Sequence, residues 1–81
     1  MDNRVSVISI IIKEETAAEA VNALLHEYRR YIVGRMGIPY RERSISIISV
    51  VLDAPGNVTS SLSGKLGMID GVSAKTLTAR L

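Results

Sequence analysis

Val5-Ser6-Val7-Ile8-Ser9-Ile10-Ile11-Ile12 and Ile45-Ser46-Ile47-Ile48-Ser49-Val50-Val51-Leu52 align without a gap at an offset of 40 residues. Three of the eight positions are identical and the other five exchange one aliphatic for another, with both serines in register. Each run is rich in β-branched residues and bounded by charged or turn residues, so both read as strands of one internal repeat. The segment after each strand reads as a helix. After the first, Thr16-Ala17-Ala18-Glu19 has the spacing of a capping box, and Ala17, Ala20, Val21, Leu24, Leu25, Tyr28 and Ile32 recur on one side. Glu14, Glu15 and Glu19 at its start and Arg29 and Arg30 at its end suit the helix dipole. After the second strand, Asp53-Ala54-Pro55-Gly56-Asn57 reads as a turn and helix start. Val58, Leu62, Leu66 and Ile69 then form a narrower apolar stripe that Gly71 closes, while Ser60, Ser63, Gly64 and Gly67 share the outer side.

The repeat also settles the segment 31–40, where Gly34, Gly37 and Pro39 interrupt Ile32, Val33, Met36 and Ile38. Strand, helix, strand after residue 45 predicts the same order before it, so this is an edge-like strand with a bulge at its glycines, and residues 72–81 supply the last strand. The order is βαββαβ: an α+β, ferredoxin-like sandwich with a four-stranded antiparallel sheet, both helices on one face and the repeat strands side by side in the middle. Such a sheet has one face without helices, which in a soluble monomer should be polar. Here Ile8, Ile10, Ile12, Ile48, Val50 and Leu52 form one apolar set. Val5, Val7, Ile11, Ile45, Ile47 and Val51 form a second on the opposite face, relieved only by Ser9 and Ser49. A second copy of the chain is the expected cover for that second set, as a homodimer or homotetramer.

Eighty-one residues with 47% hydrophobic and 22% charged side chains make one folded domain spanning residues 1–81. A core of this size is marginal alone, which favours self-association. The absence of cysteine excludes disulfides, zinc knuckles and thiol chemistry. The first apolar run is too short and too polar for a signal peptide or membrane span, so the expectation is cytoplasmic, with no membrane partner. His26 is the one histidine and lies on the polar side of its helix; no catalytic constellation, metal site or cofactor is expected.

Two candidate binding features remain. The turn at Asp53, Gly56 and Asn57 presents free backbone N–H groups at a helix start, where a small anionic or amino-acid ligand can bind. Arg29, Arg30, Arg35, Arg41 and Arg43 give the segment 29–43 a net charge of +4 and leave the rest of the chain at −2. With Tyr28, Tyr31 and Tyr40 nearby, this is the candidate surface for an anion, an acidic partner or, less favoured, nucleic acid.

The strings Ile32-Val33-Gly34-Arg35-Met36-Gly37-Ile38-Pro39-Tyr40-Arg41-Glu42, Ser46 to Pro55 and Ser63-Gly64-Lys65-Leu66-Gly67, with Ala23 to Tyr28, resemble the family of iron-only hydrogenase system regulators. The resemblance runs over nearly the whole chain. It implies a fold similar to ACT domains and to the C-terminal domain of the nickel-responsive repressor, a unit that assembles through its sheets. It also implies a regulatory role near hydrogenase maturation and identifies no ligand; beyond a second copy, the expected partner is an unknown small molecule or a regulatory protein. The repressor's histidine and cysteine ligands are not carried over to this chain. In ACT domains an Asp-x-Pro-Gly loop follows the first strand; here that place is Lys13 to Thr16, and the matching loop is Asp53 to Gly56. The leading expectation is a non-enzymatic, homo-oligomeric regulatory or sensing domain. A nucleic-acid-binding module using the arginine segment and a purely structural assembly domain are the alternatives.

Overall fold

The computed structural model describes residues 2–80. Four strands, β1 (Asn3–Ile12), β2 (Ile32–Tyr40), β3 (Ile45–Pro55) and β4 (Val72–Thr78), alternate with two helices, α1 (Ala18–Glu27) and α2 (Gly56–Gly67). The sheet is antiparallel throughout in the order β2-β3-β1-β4, so the repeat strands are central and the glycine-interrupted strand lies at an edge. This is the ferredoxin-like arrangement predicted from the repeat.

The register carries the repeat further. Ser9 pairs with Ser49, its own counterpart 40 residues on, while Ile8 pairs with Val50 and Ile10 with Ile48. An internal two-fold axis therefore passes through the serine pair, relating β1-α1-β2 to β3-α2-β4. The strands after the helices keep the same offset, β2 beginning at Ile32 and β4 at Val72.

Both helices pack on one face. Ile8, Ile10, Ile12, Ile48, Val50 and Leu52 from the central strands bury against Val21 and Leu25 of α1 and Leu62 and Leu66 of α2. Removing each such side chain from water stabilises the fold by about 1.5–3 kcal/mol. Leu24, Tyr28, Ile32, Ile69 and Val72 close the margins.

Local details depart from the sequence pattern. Thr16 does not cap α1; it lies inside a 3-10 turn, Glu15–Ala17, in which the Ala17 N–H donates to the Glu14 carbonyl at 2.9 Å. The tight turn meets with backbone groups part of the demand that a capping side chain would have met. Ala20 is exposed, because Ala17, Val21 and Leu25 form the line that reaches the sheet. On α2 the inward line begins at Thr59 rather than Val58, which is only half-buried. The helix ends at Gly67, and Gly71 instead opens β4 with φ +80. A Cβ there would lie 2.7 Å from the Glu14 Cβ, and the Gly71 carbonyl accepts the Lys13 N–H at 2.7 Å. Close approach and positive φ together require glycine at this crossing. In β2 the register shifts between Ile32 and Gly34, a bulge that leaves Val33 unpaired and exposed.

Candidate functional site

The helix-free face is continuous across all four strands. One cross-strand row runs Ile38, Ile47, Ile11 and Ser73; a parallel one runs Val51, Val7 and Leu77, and Tyr40 stands beside Ile45. Val5, Val7, Ile45, Ile47 and Val51 are half-buried by their neighbours, and Ile11 is exposed. The outer strands add Met36, 60% exposed, and Leu77, 73% exposed. All six residues expected to form the second apolar set thus lie on one surface, and β2 and β4 enlarge it. Between the rows, Met36, Ser49, Ser9 and Lys75 form a more polar band.

The arginines do not gather. Arg29 and Arg30 stand in a 3-10 turn before β2, Arg35 at its middle, and Arg41 and Arg43 in a turn after it. They are strung along an edge strand about 30 Å long. Two of them serve the chain itself: the Arg29 guanidinium donates to the His26 carbonyl at the end of α1 at 2.9 Å, and that of Arg35 donates to Asn22 Oδ1 at 2.8 Å. Arg30 lies over the Tyr31 ring at 5.1 Å. His26 is exposed, and no cluster of three or more metal-ligating side chains exists among the described residues.

Between the helices, the Tyr28 hydroxyl is 3.0 Å from Ser61 Oγ, and the Lys65 ammonium lies 5.3 Å from the ring centre. The hydrogen bond with Ser61, then that with Lys65, lowers the Tyr28 phenol below its ordinary range, and the same phenol raises Lys65. This is a surface tie between α1 and α2.

A cleft lies near each strand-to-helix junction. The first, of about 660 Å3, lies at the start of α1 beside Ser44 and Ser46; it carries Lys13, Glu14, Glu15 and Arg41, charges of both signs. The second, of about 550 Å3, runs along the side of α2 from Gly56 to Gly64, between that helix, the beginning of β1 and the end of β4. Of the three turn residues expected to bind a ligand, only Gly56 lines it. Asp53 is exposed, paired with Val5 on the helix-free side of the sheet, and Asn57 is exposed to solvent.

The rest of this second cleft escaped sequence reading. Its walls are Ser6, Thr76 and Thr78 from the strands and Ser60, Ser63 and Gly64 from the helix, with Arg4 at the rim. Ser6 Oγ and Thr78 Oγ1 are 2.9 Å apart, and Thr76 Oγ1 donates to Ser63 Oγ at 3.0 Å. Ser63 and Gly64 therefore turn toward β4 instead of forming part of a bare outer side. Thr59 lines the cleft as well and is 4% exposed, yet its Oγ1 has no hydrogen-bond partner among the described residues. The available sequence signal was Ser6, a polar residue in the inward phase of an otherwise apolar strand.

Fold and surface together define a ferredoxin-like α+β domain whose central sheet is apolar on both faces. The family model of TM1266-like proteins, described as "Iron-only hydrogenase system regulator, putative", matches residues 4–76, and the chain belongs to that family. The structure of an uncharacterized protein, TM1266 from Thermotoga maritima, is similar over 98% of this chain and 100% of its own, with 38% identity and a TM-score of 0.94. A formyltetrahydrofolate deformylase from Pseudomonas putida KT2440 shares the fold, with a TM-score of 0.65 at 16% identity over 94% of this chain and 29% of the enzyme. No curated protein matches the chain. No helix among the described residues is long and apolar enough to cross a membrane.

Proposed function

We propose that this chain is a non-enzymatic regulatory domain of the iron-only hydrogenase system that works as a homo-oligomer joined through its helix-free sheet face. The observation that carries this reading is the second apolar surface, centred on Val7, Ile11, Ile47 and Val51 and extended by Met36, Ile38 and Leu77. Leaving so much aliphatic surface in water is unfavourable, and an identical surface on a second copy is complementary to it under two-fold symmetry. The regulatory assignment follows the family; the assembly follows from this surface.

The test is the solution mass of the native chain by native mass spectrometry, together with that of the double variant Ile47→Lys/Val51→Lys. The native chain is expected to be a dimer or tetramer and the variant a monomer with the same circular dichroism spectrum, since exposed lysine stems tolerate an apolar rim. A native monomer, or a folded variant of unchanged mass, would refute assembly through this face.

A further inference from the structure

We infer that the cleft beside α2, at the end where Arg4 and Gly56 meet, is a binding site for a small oxyanion, the phosphoryl or carboxylate group of a metabolite. The inference goes beyond the assembly reading, because this cleft lies on the helix side of the sheet and its walls come from one chain. Four observations converge on it.

The first concerns the helix. Pro55 occupies the N-cap position and supplies no side-chain hydrogen bond, and the first turn of α2 holds no acidic residue. The opening N–H groups and the positive end of the helix dipole are left for solvent or a ligand. The second is the buried hydroxyl of Thr59, which lines the same cleft without a partner. A buried hydroxyl left unpaired is costly; Thr59 Oγ1 is closed to solvent, so an accepting oxygen removes that cost once the cleft wall shifts to admit it. The third is the supply of further donors. In each of the pairs Ser6–Thr78 and Thr76–Ser63, one proton is used between the two hydroxyls, and the second remains free to reach a ligand. The fourth is charge: Arg4 lines the cleft, and none of its described lining residues is acidic.

The cleft near the other junction offers a comparison. At the start of α1 the chain places its own Glu14 and Glu15 in the cleft and Glu19 in the first helical turn. That end already has carboxylates beside it. The α2 end is entered directly from β3 through Pro55 and has no such carboxylate, which leaves its positive end open to an anion from outside.

The direct test is a nuclear magnetic resonance titration of the full chain with inorganic phosphate and, separately, with acetate, at constant ionic strength. Saturable shifts are expected at the amides of Gly56, Asn57, Val58 and Thr59, without matching shifts at Ala18 and Glu19. Saturation by phosphate alone identifies a phosphoryl ligand; saturation by acetate as well identifies a carboxylate. Thr59→Val keeps the shape of the side chain and removes one donor to a charged group, so it should weaken binding about tenfold. Arg4→Gln should weaken it through loss of charge, and it changes a rim residue whose loss leaves the core intact. The shifts should persist in Ile47→Lys/Val51→Lys, which separates failure of this site from failure of the sheet-face assembly. No saturable change at the start of α2 with either anion, or equal affinity in Thr59→Val and the native chain, would overturn the inference.

Discussion

The two halves of the molecule share a backbone plan and differ in how their strand-to-helix junctions are finished. The β1–α1 junction is closed by the chain itself: a 3-10 turn consumes the Glu14 carbonyl, Gly71 packs against Glu14, and the Lys13 N–H is held by the Gly71 carbonyl. The β3–α2 junction passes straight from strand through Pro55 into the helix and leaves a hydroxyl-lined cleft beside it. A repeated fold can thus keep its shared core while one junction is sealed and the other becomes receptive. The difference lies in one short turn and a few side chains, not in topology.

The largest effect should come where the halves are alike. Ile8 and Ile48 are counterparts in the repeat, both buried in the common core at 0% and 6% exposure. Ile8→Ala and Ile48→Ala should each cost about 2–5 kcal/mol, read from urea denaturation. Similar losses support one core shared by two equivalent halves; a cheap Ile48→Ala would break that equivalence. Next comes the sealed junction. Gly71→Ala meets both a positive φ and the Glu14 side chain, and should cost about 1–3 kcal/mol in the same measurement.

Changes at the open junction should be smaller and opposite in sign. Thr59→Val removes the unpaired hydroxyl while conserving volume, so in buffer without phosphate it should stabilise the chain by about 1 kcal/mol. A loss of stability would mean that the hydroxyl is satisfied in the free protein. Asn57→Glu places in the first turn of α2 the kind of charge that α1 has in Glu19. It should add about 0.3–1 kcal/mol, lost at high salt, and should diminish the response to phosphate. An undiminished response would detach the anion site from the helix end.

Much of this was readable in the chain. The offset of 40 residues between matching strands determined the element order and the central placement of β1 and β3, because β-branched runs succeeded by helical periodicity admit few topologies. The apolar second face was legible for the same reason: side chains alternate with period two, so Val7, Ile11, Ile47 and Val51 fall opposite Ile8, Ile10, Ile48 and Val50. The capping box at Thr16 failed because capping is a local preference, and contacts with Gly71 set that turn. Asp53, Ala54 and Pro55, read as a turn, are instead the end of β3. Strand parity sends Asp53 to the helix-free face while Gly56 begins the helix at the cleft.

Sequence by itself determined the repeat, the sheet order and the apolar character of both sheet faces, since these depend on periodicity along the chain. Only the tertiary structure brought Arg4 and Ser6, Thr59 and Ser63, and Thr76 and Thr78 around one cleft. Those residues come from the start of the first strand, the second helix and the end of the last strand. No spacing rule links them, because their proximity follows from β4 pairing with β1 and α2 packing across both. The two-fold axis through Ser9 and Ser49 likewise became visible only with the register, which is set by pairing between strands.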